Sequence, residues 1–279
     1  MAGASAAVFT CPFDVLKTRL QVQSPTQMQY KMGLIDMVKK IYRVEGFRGF
    51  FTGLSPTLLG LVPTYAIYFT TYTNCKYYYI NQGLREGAFL HLLSAVSAGV
   101  FTDVCTNPMW VIKTRLQTQI LRPDLVPYRG ITNCFHRMIK EEGFTSLYKG
   151  LLPQLMGLVH VGVQFPIYER LKIEMMKRNT ENQHLAISQL MFAAVCSKCI
   201  AVVTAYPHEV IRSNLQFQHT GEPGTGGFRF IVRKIYSLEG AKGFYRGLTP
   251  NLLKVLPSTA ICFTAYELLN SYFSKMQHE

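Results

Sequence analysis

Three times in 279 residues, a proline is followed by side chains able to form ion pairs across a helix interface. Pro12 leads to Asp14 and Lys17, Pro108 to Trp110 and Lys113, and Pro207 to Glu209 and Arg212. Residues three apart share nearly one face of a helix, so each such helix offers charges to its neighbours. In a closed ring of three helices read one way round, Asp14 meets Lys113 and Glu209 meets Lys17. Trp110 occupies the third acid position and leaves Arg212 without an ionic partner. Isolated surface pairs contribute little, but threefold recurrence beside a kinking proline argues for a ring. Catalytic chemistry is not indicated. The seven histidines are scattered, no Ser-His-Asp or Cys-His arrangement stands out, and the seven cysteines lack paired metal-ligand spacing. No enzyme activity, cofactor or metal site is therefore expected, and the cysteines read as free thiols in a reducing setting. The glycine-rich stretch 221–227 lacks the Lys-Ser/Thr of a phosphate loop and reads as a flexible loop.

The prolines belong to a longer phrase. Pro12 to Gln21 recurs from Pro108 to Gln117 and from Pro207 to Gln216, each time with different substitutions. A second phrase follows each copy: Glu45-Gly46 to Gly53, Glu142-Gly143 to Gly150, and Glu239-Gly240 to Gly247. The chain thus divides into three homologous units, 1–80, 81–180 and 181–279. Positions where the copies differ are where an asymmetric ligand is read.

The elements that must carry these residues are membrane helices. Apolar residues make up 48% and charged residues 16%, against about 25% charged in ordinary soluble domains. Mostly apolar stretches precede the second and third prolines (89–106 and 185–206) and follow each Glu-Gly phrase (54–72, 151–168 and 248–266). These lengths suit a bilayer core of about 30 Å. Their polar residues fit helices with one side facing water, and their small residues allow close packing. Between the spans lie amphipathic segments with apolar faces at Met37 and Ile41, Cys134 and Met138, and Ile231 and Ile235. By the repeat, all three lie on one membrane side and make it basic. The net charge of +13 fits such a membrane protein. No arginine-rich recognition helix or RNA-binding signature supports nucleic-acid binding.

The triple Pro-x-[Asp/Glu]-x-x-[Lys/Arg]-x-[Arg/Lys] phrase, each copy followed by a Glu-Gly phrase, resembles the mitochondrial carrier family over the whole chain. That resemblance implies an all-α membrane protein of six tilted transmembrane helices around a pseudo-threefold axis, with three short amphipathic matrix helices. It implies alternating access to one central site in the mitochondrial inner membrane, or another organelle membrane, by a monomer. The proline-linked residues become a matrix gate, with Gln21, Gln117 and Gln216 as braces beneath it. Tyr72 with Lys76, Tyr168-Glu169 with Lys172, and Tyr266-Glu267 resemble a cytosolic gate. Thr73 and Asn270 remove one acid and one base, leaving that gate the weaker. Lys149-Gly150 and Arg246-Gly247 resemble cardiolipin sites, and Thr52 weakens the equivalent in unit one. Asn214 stands where the phrase has a second base.

Seven residues beyond Gly53, Gly150 and Gly247 stand Gly60, Gly157 and Lys254, which in the family match solute contact points. The glycines give either room for a bulky group or tight helix packing; the lysine supplies a cation for phosphate or carboxylate. His160 is either a ligand contact or a packed histidine, and Tyr65 is placed to stack on a planar ring. Asp103 and Lys198 are charges inside spans, a default functional sign; they either meet the solute or pair with each other. Together with Arg212, these residues suit a nucleotide-type solute. Trp110 and the phrases around Gln164 and Tyr206 resemble NAD+ carriers, with folate/FAD and pyrimidine-nucleotide carriers as alternatives. A carrier-fold scaffold that no longer transports is a further alternative. One departure stands apart: 11 residues precede Pro12, which at ~1.5 Å per residue reach about half-way across the core. This predicts that the start of the first helix is missing.

Overall fold

The computed structural model describes residues 2–23, 32–122, 126–158, 167, 170–175, 187–219, 225–255 and 257. Three long helices carry the proline phrases: α1 (Ala2–Val22), α4 (Ala88–Thr118) and α7 (Ile187–Phe217). Each runs through its proline, and each touches the other two. Three twelve-residue helices, α2 (Leu34–Glu45), α5 (Ile131–Glu142) and α8 (Phe228–Glu239), follow them. Each is succeeded by a short 3-10 turn and then by the start of an even-numbered span. The span α3 (Leu54–Asn81) is described whole; α6 (Leu151–Met156) and the helical stretches 170–175 and 248–255 are parts of the others.

The short helices form where the amphipathic periodicity places them, and their apolar faces pack in three equivalent ways. Met37 and Ile41 bury against Cys11, Val15, Leu16 and Leu20 of α1. Cys134 and Met138 bury against Val111, Ile112 and Leu116 of α4, and Ile231 against Ile211 and Leu215 of α7. Burying a side chain of this size contributes about 1.5–3 kcal/mol. The opposite faces leave Tyr42, Val44 and Tyr236 exposed. Two of the described helical segments, 47–81 and 89–121, have the length and apolarity of membrane spans. They pack together as an antiparallel hairpin.

Each even-numbered span opens on a glycine that only a residue lacking Cβ adopts readily. Gly53, Gly150 and Gly247 have φ of 86°, 80° and 75°. Each also lies against the glutamine of another repeat. A Cβ on Gly53 would come within 2.6 Å of Gln117 Cγ, on Gly150 within 3.0 Å of Gln216 Cγ, and on Gly247 within 3.2 Å of Gln21 Cγ. The three seats run cyclically, from repeat one to two, two to three, and three to one.

Candidate functional site

Where α1, α4 and α7 converge, the acids and bases of the proline phrases meet. Lys113 Nζ lies 3.3 Å from Asp14 Oδ2, and Lys17 Nζ lies 2.6 Å from Glu209 Oε2. Arg212 has no carboxylate within ion-pair distance among the described residues, and its Nε is buried without a hydrogen-bond partner. Trp110, in the acid position, turns elsewhere. Its indole N–H donates to Thr106 Oγ1 at 3.2 Å, and its ring lies 5.3 Å from Lys113 Nζ. The vacancy left by the missing acid is thus not filled by the tryptophan's own contacts.

Lys254, expected to supply a cation to the solute, already holds a carboxylate of the protein. Its Nζ sits 2.7 Å from Asp14 Oδ1, so Asp14 is shared by Lys113 and Lys254. Repeat alignment fixes the height of a residue along its helix, but a lysine reaches beyond that level. Lys254 reaches the ring itself.

Beneath the ring, the three glutamines are held unequally. Gln21 donates through Nε2 to Tyr206 Oη at 2.9 Å and accepts from Ser213 Oγ at 2.7 Å. Tyr206 in turn donates to the carbonyl of Arg246 at 2.9 Å. Gln216 accepts from Thr114 Oγ1 at 2.7 Å, but the Nε2 atoms of Gln216 and Gln117 are buried without partners. Asn214, replacing a base, donates to the Gln21 carbonyl at 2.9 Å. The joint between repeats one and three is therefore the best satisfied.

A third layer binds the short helices. Glu45 takes Arg19 and, at 3.4 Å, the Thr52 hydroxyl; Glu239 takes Arg246 at 2.5 Å. Glu142 takes Arg115 at 3.0 Å, Lys149 at 2.7 Å and His219 Nδ1 at 2.9 Å. Burial alone would raise the Glu142 carboxyl, but the His219 contact and the Arg115 and Lys149 charges hold it well below the usual carboxylate range. Burial lowers His219 below the ordinary histidine value, which its Glu142 contact only partly offsets.

Above the ring lies a cavity of about 360 Å³. Its wall includes every member of the proposed matrix ring, together with Asp103, Gln154, Thr64 and Lys254. Four cations (Lys17, Lys113, Arg212, Lys254) face three carboxylates (Asp14, Asp103, Glu209). Asp103 does not pair with Lys198; it accepts from Gln154 Nε2 at 2.6 Å. Gln154 was not singled out by motif. Its signal was that the fourth residue after each seat glycine is polar: Thr57, Gln154 and Asn251. Tyr206 and Ser213 were likewise missed as brace partners.

Four expected solute residues lie outside the described cavity wall. Gly157 does not leave open room: a Cβ there would lie 2.5 Å from His208 Nε2, so that space holds a side chain of α7. A Cβ on Gly60 would make an ordinary 3.8 Å contact with Met109. Tyr65 is exposed and stacks on Phe69, with centroids 6.3 Å apart, and Lys198 is half-buried on α7. At the other end of α3, Lys76 meets Glu86 at 2.9 Å and Tyr72 Oη lies 2.8 Å from His91 Nδ1. Lys76 is thus engaged with an acid of its own hairpin. Lys172 lies on the stretch 170–175. His160, Tyr168, Glu169, Tyr266, Glu267 and Asn270 lie outside the described residues.

A triplicated helical membrane protein, closed at one end by inter-repeat ion pairs beneath a polar cavity, has the construction of a solute carrier. The sequence pattern of the family described as "Mitochondrial carrier protein" matches residues 1–83, 85–179 and 183–277, and the chain belongs to that family. It is 41% identical to "Nicotinamide adenine dinucleotide transporter 2, mitochondrial" of Arabidopsis thaliana, covering 99% of this chain and 78% of the relative. It is 39% identical to "Nicotinamide adenine dinucleotide transporter 1, chloroplastic" of the same plant, covering 97% and 89%. Against "Mitochondrial nicotinamide adenine dinucleotide transporter 1" of Saccharomyces cerevisiae the identity is 37%, covering 95% and 73%.

Proposed function

We propose that this chain carries NAD+ across the mitochondrial inner membrane by alternating access to a single central site. The observation that carries the reading is Arg212, without a carboxylate among the described residues, on the wall of a net-cationic cavity. A buried guanidinium without a carboxylate is satisfied by an entering phosphate, with which it forms strong charge-assisted hydrogen bonds. Lys254 supplies a second cation once it exchanges Asp14 for the solute. The names of the three relatives favour a dinucleotide over other anions.

In this reading Asp14, Lys17, Lys113, Glu209 and Arg212, with the three glutamines, form the matrix gate, and its closed arrangement is the one described above. In the same reading Lys76, which meets Glu86, is the cytosolic-gate cation of repeat one. Lys149 and Arg246 remain next to the helix ends where cardiolipin would dock, though both also hold glutamates.

Thermal unfolding of the purified protein with NAD+, FAD, folates and nucleoside triphosphates tests the assignment. A bound solute stabilises the state that binds it. NAD+ is expected to give the largest shift and to be taken up by liposomes bearing the protein. A dominant shift with folate, FAD or a pyrimidine nucleotide reassigns the solute, and uptake of none of them supports a scaffold.

A further inference from the structure

Asp103 is the odd carboxylate of the cavity. Asp14 holds Lys113 and Lys254, and Glu209 holds Lys17. Asp103 meets no cation within ion-pair distance among the described residues; its contact is the neutral amide of Gln154, at 2.6 Å. The other end of that amide, Gln154 Oε1, is buried without a hydrogen-bond partner. A charge in a span is costly and is retained for function. An ionised carboxylate only accepts hydrogen bonds, so in a site for a polyanion it cannot serve the phosphates. Arg212 and Lys254, on the same wall, suit those. What remains for Asp103 is a donor on the solute, and the donor-richest parts of a dinucleotide are its two riboses. The same logic separates NAD from its 2′-phosphorylated form in soluble dinucleotide folds, where an acid takes the ribose 2′-hydroxyl.

Resting on the reading of the solute as a dinucleotide, we propose that Asp103, positioned by Gln154, accepts a ribose 2′-hydroxyl and excludes dinucleotides bearing a 2′-phosphate. The phosphate brings negative charge to within contact distance of the carboxylate, where like-charge repulsion is strong even at an intermediate dielectric. Gln154 holds the carboxylate in place from α6, and its unpartnered Oε1 offers a second acceptor.

The test is uptake of NAD+, NADP+ and NADH by liposomes carrying the full chain, with Asp103→Asn and Asp103→Ser compared with the parent. The parent is expected to prefer NAD+ over NADP+ by at least about tenfold, or ~1.4 kcal/mol. Either neutral variant is expected to gain NADP+ uptake, reducing that ratio by about tenfold. A gain of this kind cannot arise from misfolding. An unchanged ratio in a variant that still takes up NAD+ overturns the proposal. So does a gain for NADH alone, which would place Asp103 against the charged nicotinamide ring. Loss of all uptake in both variants with normal thermal unfolding assigns Asp103 to transport itself and also overturns it. Failure of the parent to take up any of the three removes the dinucleotide reading, a result distinguishable because it precedes any substitution.

Discussion

Lys254 reaches 2.7 Å from Asp14, a residue 240 positions earlier, and so links the last repeat to the first at the ion-pair ring. Because Asp14 also holds Lys113, Lys254 can leave it without stranding a buried carboxylate. Lys254 is therefore suited to exchange partners when a phosphate arrives. Lys254→Ala is expected to abolish the solute-induced thermal shift, with affinity lost by ~1.5–3 kcal/mol, the strength of a charged hydrogen bond. An undiminished shift would place the site elsewhere.

Trp110→Glu supplies the missing acid opposite Arg212. The closed ring should then be stabilised by roughly 1 kcal/mol or more, raising the unfolding temperature of the solute-free protein. Exchange should slow, because the same bond must break in every cycle. Faster exchange together with higher stability would contradict the ring's role as a gate.

The repeat-one to repeat-three joint depends on a hydroxyl that both accepts from Gln21 and donates to the Arg246 carbonyl. Tyr206→Phe keeps the ring stacked near Tyr245 but leaves both partners unsatisfied, at a cost of about 1–3 kcal/mol. A double-mutant cycle with Gln21→Ala should show coupling, whereas the same cycle with Gln117→Ala should be nearly additive.

Thr52 makes only a 3.4 Å contact with Glu45, where Lys149 and Arg246 make close ion pairs. Thr52→Lys is expected to stabilise the protein by up to about 1 kcal/mol, read as a higher unfolding temperature that high salt diminishes.

Two depressed groups at the Glu142 cluster both lose stability in acid, but in different pH windows. Glu142, held far below its ordinary 4.5, contributes stability that is fully present above that value and fades only in stronger acid. His219, lowered from 6.5 by burial, is protonated more readily in the unfolded chain, so stability falls as pH drops below about 6.5. Unfolding temperature measured from pH 8 to 5 should decline in the lower half of that range. His219→Gln should flatten the decline; an equal decline in the variant would assign it to another group.

The architecture was legible because the pattern repeats. Three proline phrases give three long helices that run through their prolines, and apolar periodicity at Met37, Cys134 and Ile231 gives the buried faces of the short ones. That acids and bases pair between helices follows from their sharing a face, whereas the sense of the ring, Asp14 with Lys113 and Glu209 with Lys17, comes from the structure. Direction and reach were not legible. Lys254 was placed by height, yet its long side chain ends on Asp14. At Gly157 room and tight packing stayed open as alternatives because a sequence shows what is missing at a position and not which neighbour, here His208, fills it. Gln154 and Tyr206 escaped notice because uncharged residues without a motif gain meaning only from what they touch.

The cyclic seating of glutamines on glycines has a consequence for synthesis. Gln117 can settle on Gly53 once two repeats exist, but Gln21 finds its seat only when Gly247 has been made. Closure of the ring therefore waits for the third repeat. Until then α1 holds Lys17 and Gln21 without their repeat-three partners within the membrane, so the nascent chain remains an open, polar-edged intermediate until late in translation.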